Sequence, residues 1–172
     1  MSATRQRAMV VCGNAGTGKS TFAAQLCTER GAVLLDLDTA TERLSKLVLR
    51  GQGLSEDDRD SDAYKRLLRE PSYETLFDIA CDNLERLPCV IVGPFTHERR
   101  QADWPERLAA RLRAPVEIHY VWCTLEQRHE RLLRRGNPRD GAKLADFAAY
   151  AAQGEDPSPL PYPHRRIDTT MR

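Results

Sequence analysis

Short apolar runs alternate with amphipathic stretches along almost the whole chain. Ala8-Met9-Val10-Val11-Cys12 and Cys89-Val90-Ile91-Val92-Gly93 read as short buried strands, and Val116 to Cys123 as another strand. In the last of these, Ile118, Tyr120 and Trp122 share one face. Ala32-Val33-Leu34-Leu35-Asp36-Leu37-Asp38 reads as a further buried strand, ending in two carboxylates. Between the runs the period changes to that of helices. Thr21 to Arg30 sets Phe22, Leu26 and Cys27 toward a core and stops at Gly31. The capping box Thr39-Ala40-Thr41-Glu42 predicts a helix to about Arg50, with Gly51 as its stop. A helix from Ser72 carries Tyr73, Leu76, Ile79, Ala80, Leu84 and Leu87 at helical spacing until Pro88.

Asp103-Trp104-Pro105-Glu106 caps a helix through Arg113, and Thr124-Leu125-Glu126-Gln127 opens another that ends at Gly136. Lys143 to Ala152 predicts one more helix, and Arg165 to Thr170 a short last strand. Gly51 to Asp62, with Glu56, Asp57, Asp58, Asp60 and Asp62, is a solvated acidic loop. Pro157, Pro159, Pro161 and Pro163 mark an extended connector, and there is no internal repeat. Strands alternating with helices imply right-handed βαβ crossovers. The expected fold is a three-layer α/β domain of about five parallel strands, formed by residues 1–172 as one unit.

Composition narrows the class. The 172 residues are 41% hydrophobic and 30% charged, an ordinary globular balance. A formal net charge of +1 argues against a large electrostatic footprint on nucleic acid. No run approaches the roughly 18 apolar residues of a membrane span, and Met1 to Arg7 leads directly into the first strand, not into a signal-peptide core. Cys12, Cys27, Cys81, Cys89 and Cys123 form no C-x-x-C pair, so they read as reduced thiols of a cytoplasmic protein. His97, His119, His129 and His164 show no ligand spacing, and no structural metal is expected.

The chemistry starts between the first strand and the first helix. Gly13-Asn14-Ala15-Gly16-Thr17-Gly18-Lys19-Ser20, followed by Thr21, fits the phosphate-binding pattern G-x-x-x-x-G-K-[ST]. A strand precedes it and a helix follows, the context that the pattern requires. The glycines let successive amide N–H groups turn inward, and the helix N-terminus adds positive field. Lys19 would reach the β- and γ-phosphates of ATP, and the Ser20 hydroxyl would bind Mg²⁺. The third strand ends in Gly93-Pro94 and not in an acid, and no [NT]-K-x-D guanine-reading signature occurs.

Asp36 and Asp38 are two apart, so on an extended chain they share a face at the carboxyl end of the sheet, where open α/β folds hold ligands. Phosphoryl transfer needs a carboxylate to take the acceptor's proton, so Asp38 is the candidate base and Asp36 the candidate partner of Mg²⁺. Arg131, Arg135 and Arg139 are placed to cover the phosphates. Arg128, Arg131 and Arg135 line one helix face, and for Arg128 and Arg134 a solvated surface is the competing reading. Tyr64, Arg69, Tyr73, Phe95, Arg99 and Arg100 are candidate walls for a polar organic acceptor.

Gly13 to Thr21, Leu35-Asp36-Leu37-Asp38, the segment Arg131…Arg135…Arg139-Asp140 and the terminal Ile167-Asp168-Thr169-Thr170 together resemble the small P-loop kinases. That group includes gluconate kinase, adenylylsulfate kinase, chloramphenicol phosphotransferase, the polynucleotide kinase domain and the zeta toxins. Only the P-loop itself is specific; the remaining likeness is diffuse and covers most of the chain. The Leu-Asp-Leu-Asp stretch is similar to the Asp-Gly-Asp of adenylylsulfate and gluconate kinases, with Leu37 in place of the glycine. The resemblance implies a P-loop NTPase fold with strand order 2-3-1-4-5, helices on both faces and a mobile Arg-bearing lid at about 128–142. It also implies an adenine slot beside Asp168 and Thr169, and an acceptor side within about 39–75. The expected function is an ATP- and Mg²⁺-dependent kinase acting on a small-molecule hydroxyl. A 5′-hydroxyl polynucleotide kinase and a nucleotide-gated binding module are the alternatives. The acceptor, the oligomeric state, ATP against GTP, and which of Asp36 and Asp38 is the base are left open.

Overall fold

A computed structural model describes residues 5–58, 61–154 and 159–171. The readings made for Met1 to Thr4, Asp60 and Pro157 lie outside the described residues. Five parallel strands form one sheet: β1 (Ala8–Cys12), β2 (Val33–Asp36), β3 (Cys89–Val92), β4 (Val116–Trp122) and β5 (Arg165–Asp168). Their order is β2-β3-β1-β4-β5, as the resemblance to P-loop kinases implies. β1 is central, with Val10 in register with Ile91 on one side and Ile118 on the other.

Alternation along the strands feeds two apolar layers. Ala8, Val10 and Cys12 join Ile91, Ile118 and Tyr120 against α4 (Glu70–Asn83) and α5 (Trp104–Leu112). Met9 and Val11 join Val90, Val92, Val121 and Ile167 against α1 (Lys19–Arg30). Leu76, Leu84 and Leu112 are wholly buried, and each side chain removed from water contributes about 1.5–3 kcal/mol before entropy is counted.

The structure departs from several of these expectations. The second strand is not buried on both faces: it is the sheet edge, and Leu34 is 44% exposed. The helix after it, α2 (Leu37–Gly51), begins before the Thr39 capping box, because Asp36 caps it by accepting from the N–H groups of Asp38 and Thr39. It also runs through Gly51, with Gln52 as its cap. The helix expected from Ser72 starts ten residues earlier, as α3 (Asp62–Tyr64), capped by Ser61, followed by a π-helical stretch Lys65–Arg69 that leads into α4. Pro71, which has no N–H to donate, falls at the junction of the π-helical stretch with α4. Ile79 and Leu87, expected to face the core, are 37% and 48% exposed.

At the carboxyl side, Thr124 caps α6 (Leu125–Arg135) as expected, accepting from the Gln127 N–H. A 3₁₀ turn (Pro138–Asp140) leads to α7 (Gly141–Ala145) and α8 (Phe147–Gly154). The single helix expected over Lys143 to Ala152 is therefore two, separated where Asp146 leaves helical torsions. The five cysteines are free thiols. Among the described residues no helix is long and apolar enough to cross a membrane.

Candidate active site

The loop between β1 and α1 is shaped by backbone constraints. Gly13 has φ +144°, and a Cβ there would sit 2.3 Å from the Val121 carbonyl oxygen, so a side chain is excluded on both torsional and steric grounds. Gly18, at φ +86°, is the left-handed residue from which α1 starts. Inside the loop, the Asn14 main-chain oxygen accepts from Lys19 Nζ at 2.6 Å and from Thr17 Oγ1 at 2.9 Å. Burial, followed by the nearby Arg99 guanidinium, lowers the Lys19 ammonium to about 8; Asp38, Cys12 and Asp36 act in the opposite sense. The lysine side chain folds back over the loop onto the Asn14 carbonyl.

The two strand-end acids occupy different places. Asp36 is the last residue of β2, with Oδ1 on the N-terminal amides of α2 and Oδ2 3.3 Å from Ser20 Oγ. Asp38 lies in the first turn of α2, so the pair does not share a strand face as expected for an extended chain. Its carboxylate is 55% exposed and accepts from Arg139 Nη2 at 2.7 Å across the cleft. Burial opposes the charge of Arg139, but Asp38 outweighs it and holds the guanidinium above its ordinary value.

These groups line one cleft of about 590 Å³. One end is formed by Asn14, Gly16, Gly18, Lys19, Ser20 and Thr21. The other is formed by Leu37, Tyr64, Lys65, Arg69, Ser72, Tyr73, Pro94, Thr96 and His97. Arg131, Arg135, Arg139, Lys143 and Tyr150 overhang it from α6 to α8.

Residues 9–157 match a family model described as an AAA domain. The chain belongs to this AAA domain family. The fold is also similar to solved structures. A provisionally assigned kinase from Chloroflexus aurantiacus aligns at 21% identity over 98% of this chain and 90% of that one, with TM-score 0.67. A gluconokinase from Sinorhizobium meliloti aligns at 15% identity over 98% and 86%, with TM-score 0.59. The Mycobacterium tuberculosis APS kinase CysC, solved with AMPPNP and APS, aligns at 19% identity over 96% and 90%, with TM-score 0.51. The expected likeness to small P-loop kinases thus holds at the level of the fold. No curated protein sequence matches the chain.

Within this AAA domain, the expected site residues divide into two groups. Asn14, Ala15, Gly16, Gly18, Lys19, Ser20, Thr21, Asp36, Asp38, Tyr64, Arg69, Tyr73, Arg131, Arg135 and Arg139 come together at the cleft, whereas Gly13 and Thr17 of the loop are buried and do not line it. Phe95 does not: its backbone turns left-handed (φ 47°), and the ring packs, fully buried, among Tyr73, Phe77 and Trp104. Arg99 does not line the cleft either, because it is buried beneath the loop with Nη2 on Asn14 Oδ1. Arg100 is exposed and away from the cleft.

Other side chains are committed to neighbours. Arg69 makes a bidentate pair with Glu98 (2.8 and 2.9 Å) and lies over the Tyr73 ring. Burial and Glu98 push the Tyr73 phenol up. Arg131 donates to Thr169 Oγ1 (3.0 Å) and Thr169 O (2.6 Å), while Thr169 Oγ1 donates to Thr17 O at 2.7 Å. Thr169 therefore braces the loop from beneath, and Asp168 caps the following turn at the Thr170 N–H; neither lines the cleft. Arg135 pairs with the buried Asp140. Lys65, Thr96, His97, Lys143 and Tyr150 also line the cleft, and the sequence does not single them out as site residues. For Lys143 a signal existed: it lies four residues after Arg139 and donates back to that residue's carbonyl at 3.4 Å.

Proposed function

We propose that this protein is an ATP-dependent kinase that transfers the γ-phosphoryl group to a hydroxyl of a small molecule. The observation that carries the reading is the juxtaposition in one cleft of the glycine-shaped loop with Lys19 and, facing it, the exposed carboxylate of Asp38 held by Arg139. A loop alone would serve hydrolysis or binding equally well. An acid in the first turn of the helix after β2 adds a base for an alcohol.

In this account the loop amides and Lys19 hold the β- and γ-phosphates, and Lys19 leaves the Asn14 carbonyl to do so. Ser20 and Asp36 present two oxygens 3.3 Å apart beside Lys19, a donor set suited to a hard divalent cation. Both would hold Mg²⁺, which when bound neutralises charge on the β- and γ-oxygens. Asp38 accepts the acceptor's hydroxyl proton as that oxygen bonds to the γ-phosphorus and the bond to the bridging oxygen breaks, leaving ADP. Arg135 and Arg139 overhang the cleft where equatorial charge accumulates; Arg131 contributes by fixing the loop to Thr169. The segment at about 128–142 then serves as the lid, with Arg139 and Asp38 as its contact with the acceptor side.

The acceptor lies between Tyr64, Arg69, Tyr73 and the residues after β3. A panel of sugars, nucleosides and hydroxylated antibiotics tests the reading through ADP release. At least one compound should raise release well above the water-hydrolysis background, and a protein that binds ATP but releases ADP with none of them would count against it.

A further inference from the structure

We propose that Arg99 is a positioning residue of the phosphate loop, acting through Asn14 to fix the carbonyl on which the Lys19 ammonium rests. The proposal depends on reading that loop as a triphosphate site. Arg99 comes from the 3₁₀ turn Glu98–Arg100 after β3 and is wholly buried. Its Nη2 donates to Asn14 Oδ1 at 2.7 Å, and its Nη1 donates to the Pro94 carbonyl at 2.6 Å. Asn14 is itself buried, and its main-chain oxygen takes both Lys19 Nζ and Thr17 Oγ1. One guanidinium thus reaches, through a single residue, the curvature of the loop and the side chain that meets phosphate.

Two further contacts fix Arg99. The Tyr162 hydroxyl donates to its carbonyl at 2.8 Å, and the Tyr120 ring lies 5.8 Å from the guanidinium. Burying a guanidinium is costly, and a packed apolar side chain would fill the same volume with less penalty. A cation beneath a loop that receives a polyanion has an electrostatic use that an apolar side chain lacks. Its Pro94 contact adds a second constraint. Pro94, Thr96 and His97 line the acceptor end of the cleft, so the guanidinium also sets the separation between the exits of β1 and β3. On the same turn, Glu98 grips Arg69 on the acceptor side. Adjacent residues of one turn therefore reach both ends of the cleft.

The test is a double-mutant cycle on the full chain. It is read as the calorimetric Kd for AMPPNP with Mg²⁺, with the melting temperature of each ligand-free variant recorded alongside. Arg99→Met should weaken binding by about tenfold or more, the size expected when a buried charged donor is lost. Asn14→Ala should weaken it comparably, and the double variant no further than the worse single one, since both changes cut one connection. Arg99→Lys, which keeps charge and a donor, should recover most of the affinity even if its melting temperature stays low. A melting temperature lowered with Kd within about twofold of wild type would make Arg99 a packing residue and overturn the proposal. So would effects of Arg99→Met and Asn14→Ala that multiply. If Arg99→Met does not fold, Arg99→Lys and Asn14→Ala decide: unchanged affinity in both refutes it. Failure of the wild type to bind would refute the triphosphate site and this proposal with it, an outcome distinct from all the others.

Discussion

The two ends of the cleft are built in different ways. The proposed phosphate end is lined by Asn14, Ala15, Gly16, Gly18, Lys19, Ser20 and Thr21 from one continuous loop and helix start, and that loop is held by contacts from Thr169, Arg131 and Arg99. The proposed acceptor end draws Leu37, Tyr64, Arg69, Tyr73, Thr96 and His97 from separate segments of the chain, and its main polar contacts are side chain to side chain. A backbone surface recognises a shape common to all triphosphates. A side-chain surface can be rebuilt one residue at a time around a particular acceptor. Changes at the phosphate end should therefore abolish function outright, and changes at the acceptor end should alter it selectively.

The largest effect is expected for Lys19→Ala. With the ammonium gone, kcat/KM should fall by about 10³-fold or more, because a charge-assisted contact to the transferred group is lost in a water-poor site. Steady-state ADP release checks this, and a loss below tenfold would place Lys19 outside the site. Gly13→Ala comes next. A Cβ 2.3 Å from the Val121 oxygen, on a residue at φ +144°, should cost about 3 kcal/mol and lower the melting temperature by roughly 6–12 °C. A melting curve unchanged from wild type would show that the loop yields, contradicting the braced surface described above.

Arg139→Ala should separate catalysis from stability. Its partner Asp38 is more than half exposed, so unfolding free energy should move by less than about 1 kcal/mol. Turnover should drop by roughly 10–100-fold, since an aligned charge is lost at the reacting end. Equal losses in both would make the contact a structural clamp.

The smallest effect belongs to His119, on β4 beneath Phe22 of α1 (ring centroids 5.5 Å apart). Burial lowers its pKa; Glu117, 3.2 Å from Nε2, pulls the other way, and Arg165 and Arg30 add to the lowering. A histidine depressed in the folded state binds fewer protons there than in the unfolded chain. Stability should therefore fall as pH drops below about 6.5, by at most about 1.4 kcal/mol per unit. Urea unfolding of wild type against His119→Gln at pH 7 and pH 5 isolates the contribution, which should vanish in the variant.

How much of this the sequence disclosed follows the same division. The strands β1, β3 and β4 and the loop after β1 were legible because each is local: a continuous apolar run, or glycines at fixed spacing before a helix. The start of α2 was misplaced because Asp36 caps it with the same side chain that faces Ser20, and a strand-end acid and a helix cap look alike in sequence. Phe95 and Arg99 were set on the acceptor wall because aromatic and guanidinium groups after a strand suit a ligand. A left-handed turn at Phe95 and a buried partner at Asn14, 85 positions away in sequence, sent both inward, and no local pattern encodes either. Lys65 reaches the cleft from the π-helical stretch before α4, whereas Thr96 and His97 lie in the segment that leaves β3, beside residues that were named.

The proposed transfer depends above all on Asp38 as the base facing the loop. Its most direct test is the rate of phosphoryl transfer to whichever acceptor the panel yields, followed by ³¹P NMR of the product, in Asp38→Asn against wild type. The predicted result is a fall of about 10²–10⁴-fold with the Kd for Mg-ATP within about threefold of wild type. Transfer at the wild-type rate by Asp38→Asn would contradict it.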